Sequence, residues 1–495
     1  MPTMLSLPVS DGRRRGRTRR RFRFGLMLCA ALVGVGSLPS LGHARPPLGE
    51  RLDAALRHPA LRAAQLSILV EDEKTEQVIY ERDPEKRLIP ASNMKIMTAL
   101  AALETFGPSH RFATRILTDR APDASGTVGR LAVLGGGDPV LNSEDWWRLA
   151  ADLRRRGLRR VEGDILVDDS LFDREYWHPQ WKGRSARAYH APVSALTANY
   201  GSFFIAIQPG SAAGDPVRVA VDPPLASLQI INRAVTGPPE SSPTLSVQRG
   251  GHNAQAESFT VTGKLPAADD PDFVPRSVQD AALYAGAVLK LQLEAVGIEV
   301  GGSVRRGSAN LPHVLATHEG RSLAEVVRLF MKYSNNAMAE SLVKSMAVEA
   351  GQGPGTWPAG LAAMRAKLLK LRLLGTGAVI ADGSGLSTDN RLSARMLVDA
   401  LRTGGRSFQV GPEFVSAFPI AARDGTLENR TARSTDLVRA KTGLLSDQRV
   451  TALSGYLLRP DGDVAVFSIL VNGHAGRSKS AMDAVDRFVA ELTRR

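Results

Sequence analysis

The run Gln65-Leu-Ser-Ile-Leu-Val-Glu-Asp-Glu-Lys-Thr-Glu-Gln-Val-Ile-Tyr-Glu81 decides the fold. Gln65 to Val70 is apolar and strand-like, Glu71 to Thr75 is polar and turn-like, and Gln77 to Glu81 is a second short strand. Together they predict a hairpin. Just downstream, Pro90 stands before a helix-like run from Ser92 to Leu103. The far end of the chain supplies the complement. Asp436 to Lys441 and Val450 to Leu458 read as strands, and Arg459-Pro-Asp-Gly-Asp463 as a turn. Val464-Ala-Val-Phe-Ser-Ile-Leu-Val471 is continuous enough for a strand buried on both faces. A last helix carries Met482, Val485, Phe488, Val489 and Leu492 on one stripe, expected to pack on the sheet. Strands from both ends then form one antiparallel sheet, which requires the middle to be inserted.

That middle, from about residue 110 to 275, is rich in Gly, Pro, Asp and Ser and holds short β-like runs such as Arg130 to Leu134 and Gly163 to Asp168. Val278 to Glu294 and Ser322 to Gly351 return to helical periodicity. The expected fold is α+β, an antiparallel sheet flanked by helices. Its main unit is discontinuous, residues 45–109 and 277–495, around a β-rich insertion at 110–276 read as two small domains. No short internal repeat is detectable.

The chain has 495 residues and a net charge of +13, but residues 1–44 contain eight arginines against one acid, Asp11. The remainder carries 55 basic and 49 acidic residues, which disfavours nucleic acid as a partner. Residues 1–44 read as an export signal: a basic segment, an apolar run from Phe24 to about Leu41, and Gly42-His43-Ala44 as a cleavage site. Thr18-Arg-Arg-Arg-Phe22 also resembles a twin-arginine signal, so both export routes stay open. Gly and Pro interrupt the apolar run, which falls short of the roughly 20 residues of a membrane span. The only cysteine, Cys29, lies in this segment, and Leu28 before it fits lipoprotein acylation poorly. A chain cleaved near Ala44 has no thiol, hence no disulfide and no thiolate metal site. The nearest histidine pair, His313 and His318, reads as surface residues. No metal or cofactor is implied.

Three short motifs carry chemistry. In Ser92-Asn-Met-Lys95, helical spacing places a hydroxyl beside an amine on one face. Serine is a weak nucleophile until a base removes its proton, and a lysine serves once burial or a nearby positive charge has made it neutral. Ser334-Asn335-Asn336 and Lys441-Thr442-Gly443 follow, the latter at a strand end. There a lysine and a threonine can hold a carboxylate, and the glycine permits close approach of a substrate backbone. Each motif alone is weak. In this order they match the signature of serine-acylating, penicillin-recognising enzymes.

Ser92 and Ser334 lie 242 positions apart, enough for extra domains. With Leu134-Gly-Gly-Gly-Asp-Pro139, Ala191-Pro-Val-Ser-Ala-Leu196, Asp382-Gly-Ser-Gly-Leu386, Asp424-Gly-Thr-Leu427 and Leu453-Ser-Gly-Tyr456, the chain resembles the D-alanyl-D-alanine carboxypeptidase/endopeptidase family, the low-molecular-mass class C penicillin-binding proteins. The resemblance spans nearly the whole mature chain. It implies Ser92 as nucleophile, Lys95 as acylation base and Ser334 as the proton donor to the leaving amine. It assigns Asn336 to the substrate amide, Lys441 to positive potential that keeps Lys95 neutral, and Thr442 to the terminal carboxylate. Gly443 completes the third motif, and the backbone N–H groups of Ser92 and Leu444 would hold the oxyanion. Asp168 matches an inserted-domain acid for the ammonium of a stem diamino acid, with a turn-fixing acid as the alternative. Asp382 and Asp424 are expected to fix loops. Expected partners are peptidoglycan stem peptides and β-lactams at an extracytoplasmic, periplasmic location; peripheral membrane contact stays open. Two positions depart from the family pattern: Leu444 replaces a hydroxyl residue after Lys-Thr-Gly, and Thr388 replaces an arginine. A β-lactamase is disfavoured because no Glu-x-x-Leu-Asn segment separates the first two motifs. A silent wall-binding scaffold is disfavoured by the intact motifs. Carboxypeptidase and endopeptidase activity are not separated.

Overall fold

The computed structural model describes residues 46–252 and 256–494. The export signal, its cleavage site at Ala44 and Cys29 lie outside the described residues. Five strands form one antiparallel sheet in the order Val438–Leu445, Val450–Leu458, Val464–Asn472, Gln65–Asp72, Val78–Arg82. The two ends of the chain thus meet at the sheet centre, where Ile68 lies opposite Ile469.

The period-two alternation of strand side chains assigns the two faces. Ile68, Val70, Phe467, Ile469 and Val471 point to one side, where the C-terminal helix Ser478–Leu492 covers them with Val485, Phe488, Val489 and Leu492. Met482 lies off that buried stripe, and Ala481 and Ala484 take its place. Leu69, Val466 and Leu470 point to the other side, under the helices Met94–Phe106 and Ala394–Arg406. Phe488 is fully buried and meets Tyr80 edge-on, ring centroids 5.2 Å apart. Phe488→Ala is expected to lower the unfolding free energy by about 3–5 kcal/mol, measured by chemical denaturation, because the cavity cannot collapse between sheet and helix.

The inserted layer begins at the strand Arg111–Thr118, which pairs antiparallel with His313–Ser322. These belong to a second five-stranded sheet, ordered Val304–Arg306, Ile165–Asp168, Leu131–Leu134, Arg111–Thr118, His313–Ser322. The chain therefore returns at Ser322, later than the boundary at 276–277 expected from sequence. Ser322 and Glu325 form a capping box that starts the helix Leu323–Tyr333 of the main unit. The helix Ala281–Ala295 belongs to the insertion: Val288, Leu289 and Leu293 share a core with Trp146, Leu149 and Val167. Apolar periodicity revealed this helix but not the sheet it covers. The smaller sheets between residues 202 and 277 add Phe203, Ile205 and Phe259 to the same core, so the two parts of the insertion are joined through one apolar interior.

Candidate active site

Ser92 sits in a 3-10 turn, Ala91–Asn93, that runs into the helix Met94–Phe106. Ala91 adopts a φ of 47°, a left-handed conformation costing about 1–3 kcal/mol for a residue with a side chain. Such strain recurs where a backbone must aim a reacting group. Asn93 anchors the turn to the sheet by donating to Ser454 Oγ at 2.6 Å. Lys95, one helical turn on from Ser92, is fully buried. Its Nζ donates to Ser92 Oγ at 3.2 Å, Asn336 Oδ1 at 2.7 Å and the Ser384 carbonyl at 2.7 Å. Burial lowers its pKa to about 7, against the opposing pull of Asp382 and Glu340.

The second motif lies at a helix junction. Ser334 ends the helix Leu323–Tyr333 in a left-handed conformation, φ 57° and ψ 34°. Asn335 then caps the next helix, Asn336–Glu349, by accepting from Met338 N. The junction presents Ser334 and Asn336 to opposite partners. Asn336 bonds Lys95 through its oxygen and donates Nδ2 to the Tyr189 carbonyl of the insertion at 3.0 Å. Ser334 Oγ accepts from Lys441 Nζ at 2.8 Å, and Lys441 also donates to the Thr442 carbonyl at 2.8 Å. Lys441 is fully buried, and burial together with the Lys95 charge holds its pKa well below the ordinary lysine value. Asp382 and Glu340 oppose the fall at Lys95.

Lys441, Thr442 and Gly443 lie on the edge strand Val438–Leu445. Ala440 N donates away from the sheet to the Pro419 carbonyl at 2.9 Å. Backbone direction alternates along an antiparallel strand, so the amides of Thr442 and Leu444 face this same open edge. A side chain at Gly443 would meet the Pro90 carbonyl oxygen at 2.9 Å and Ala91 Cβ at 3.1 Å. The room expected for a substrate backbone is thus taken by the turn that carries Ser92, and the glycine lets the first and third motifs pack together. The Leu444 side chain is 43% exposed.

Asp168 ends the strand Ile165–Asp168, where its carboxylate accepts from Ser170 N at 3.0 Å and Ala309 N at 2.7 Å. Burial raises its pKa, but the hydrogen bonds from the Ser170 hydroxyl and from the Ala309 and Ser170 amides outweigh it and the net shift is downward. They fix a turn, and no hydrogen bond links Asp168 to the six motif side chains among the described residues. Asp382 behaves as a loop-fixing acid, accepting from Gly385 N at 2.7 Å, Ser387 N at 2.6 Å and Trp181 Nε1 at 3.0 Å. Asp424 likewise accepts from Ile420 N at 2.7 Å and pairs with Lys332 at 2.6 Å.

Sequence reasoning missed Glu340, one turn beyond Asn336 and fully buried. Its carboxylate accepts from Gly383 N at 3.0 Å, Ser384 N at 2.7 Å and Trp357 Nε1 at 2.9 Å. Burial and the neighbouring Asp382 raise its pKa to about 7. Glu340 thereby positions the loop whose Ser384 carbonyl holds Lys95. An acid at i+4 from Asn336 amid apolar neighbours was the available signal.

Comparison with known proteins identifies the family. The family described as D-Ala-D-Ala carboxypeptidase 3 (S13) matches residues 48–492. A D-alanyl-D-alanine carboxypeptidase of an Actinomadura species is 37% identical, covering 96% of this chain and 91% of its own. The D-alanyl-D-alanine carboxypeptidase DacB of Haemophilus influenzae is 25% identical over 81% of this chain and 83% of its own. The crystal structure of penicillin binding protein 4 from Haemophilus influenzae shares the fold, with a TM-score of 0.75, 24% identity, and coverage of 89% of this chain and 98% of that one. With three motifs gathered on one sheet edge and a family match along most of its length, the chain belongs to the D-Ala-D-Ala carboxypeptidase 3 (S13) peptidase family.

Proposed function

We propose that this chain is a serine DD-peptidase that hydrolyses D-alanyl-D-alanine bonds of peptidoglycan stem peptides or cross-links through an acyl-enzyme on Ser92. The observation that carries the reading is the buried Lys95 Nζ, 3.2 Å from Ser92 Oγ and poised near neutrality. Ser92 Oγ attacks the carbonyl carbon between the two D-alanines while its proton passes to Lys95. The oxyanion forms between the N–H groups of Ser92 and Leu444, each worth about 3 kcal/mol in such a hole. The C–N bond then breaks, and Ser334 gives its proton to the departing amine, resupplied by Lys441. Asn336 binds the substrate amide with the N–H that Tyr189 leaves free. Water hydrolyses the ester and restores Ser92.

The two lysines share their protons as a pair. In the free protein Asp382 and Glu340 favour charge on Lys95, and the charge on Lys95 disfavours charge on Lys441. A substrate carboxylate arriving at Lys441 and Thr442 draws the charge to Lys441. Like-charge repulsion then releases Lys95 as a base, so its neutral state is substrate-assisted. Lys441 thereby helps to keep Lys95 neutral, the role that the family resemblance implies for it.

Penicillins would acylate the same Ser92 and leave slowly. The family's wall substrates place the work outside the cytoplasm, and we assign the periplasm, after removal of residues 1–44 near Ala44. Among the described residues no helix is long and apolar enough to cross a membrane. We assign Asp168 to a stem ammonium: its carboxylate has about four acceptor sites, and the bonds from Ser170 and the Ala309 amide leave capacity for one more donor. Digestion of purified cross-linked and uncross-linked muropeptides tests the function. Loss of a terminal D-alanine or separation of a cross-link is expected by mass; no change in either substrate would refute it.

A further inference from the structure

The turn Gly425–Leu427 lies against the edge strand that carries the third motif. Thr442 Oγ1 donates to Thr426 Oγ1 across 2.8 Å. Thr426 is braced there from two sides. Asp424 pairs with Lys332 at 2.6 Å, and Gly425, at φ 56°, packs so closely that a side chain would meet the Lys332 carbonyl at 2.5 Å. Lys332 lies two positions before Ser334 on the same helix. The turn is therefore built onto the element that delivers Ser334, and Thr426 is only partly buried while Thr442 is nearly covered.

Three hydroxyls thus follow one another, Ser334 Oγ on Lys441 Nζ, then Thr442 Oγ1 beside the same strand, then Thr426 Oγ1. In a hydroxyl pair one hydrogen is spent on the internal bond and the other remains to be donated. With Thr442 donating to Thr426, the remaining hydrogen belongs to Thr426. A carboxylate has two acceptor oxygens and is matched by two adjacent donors next to an ammonium. Leu444, two positions beyond Thr442, offers only its backbone amide.

We propose that Thr426 is the second hydroxyl of the pocket that receives the substrate's terminal carboxylate, a specificity-determining residue acting with Thr442 where the Leu444 side chain supplies no donor. The inference rests on the DD-peptidase reading. In the free protein the mutual bond holds the pair in place; on binding that bond opens, and Thr426 and Thr442 each turn their single hydrogen to one carboxylate oxygen. The alternative is a purely structural bond that pins the turn to the strand.

The test compares Thr426→Val, which removes the hydroxyl at nearly constant shape, with Thr426→Ser, which retains it. Two substrates are used: an acyl-D-Ala-D-Ala peptide, and an acyl-D-alanyl ester whose leaving alcohol carries no carboxylate. Thr426→Val is expected to lose about 10- to 100-fold in kcat/KM on the peptide, the loss of a hydrogen bond to a charged group. On the ester it should stay within about twofold of the parent, and Thr426→Ser should restore the peptide rate. Equal losses on peptide and ester, no loss on the peptide, or a Thr426→Ser variant as impaired as Thr426→Val would overturn the proposal. Failure of the parent protein to cleave either substrate would instead overturn the DD-peptidase reading.

Discussion

Ser92→Ala is expected to lose turnover of D-alanyl-D-alanine peptides by roughly 10⁶-fold, the cost of removing a nucleophile on which the rest of the machinery depends. No neighbouring group can substitute. Ser334 is bonded to Lys441 rather than to Lys95, and Lys95 is buried behind Ser92 with Asn336 and the Ser384 carbonyl as its other partners. The substitution removes one of the three acceptors of Lys95 and no packing atom of the core, so the melting temperature should barely move. Steady-state hydrolysis on purified protein, paired with a thermal melt, gives the answer. Retained turnover with an intact fold would mean that another residue attacks.

The second large effect concerns Lys95. As the proposed base for acylation it must be neutral, and burial lowers its pKa to about 7. Below that value the ammonium form dominates, so the acylation rate should fall about tenfold for each further pH unit, and it should level off above. Lys95→Arg keeps a permanent charge and Lys95→Met removes the base. Both should lose about 10²–10⁴-fold in acylation at every pH, with no inflection near neutrality. The rate of acylation by a fluorescent penicillin, followed from pH 5 to 9, measures this. A parent profile flat across neutrality, or an inflection that persists in Lys95→Met, would assign the base elsewhere. Glu340, whose pKa is also raised to about 7, is the group such a persistent inflection would implicate.

Much of this was legible in the sequence because it depends on local pattern. The strands Gln65–Asp72, Val450–Leu458 and Val464–Asn472 appear within a residue or two of their expected ends, since alternating or continuous apolar runs betray their burial. The helical spacing of Ser92 and Lys95 also survives, although the turn enters through a 3-10 segment. The return of the chain at Ser322 was not legible. The apolar stripe of Ala281–Ala295 fits either core, and only strand pairing between Arg111–Thr118 and His313–Ser322 decides which. The contacts of Tyr189 and Ser384 were hidden for another reason: both act through backbone carbonyls, which any residue type supplies. Gly443 illustrates a third limit. Its need for space was readable, but what fills that space, Pro90 and Ala91, is set by tertiary packing.

The central claim is that Ser92 forms the acyl-enzyme. Incubation with a penicillin, followed by intact-mass measurement and peptide mapping, tests it most directly. The account predicts one added acyl group per chain, located on the peptide containing Ser92 and absent from Ser92→Ala. An adduct mapped to any other residue, or none on a folded protein, would contradict it.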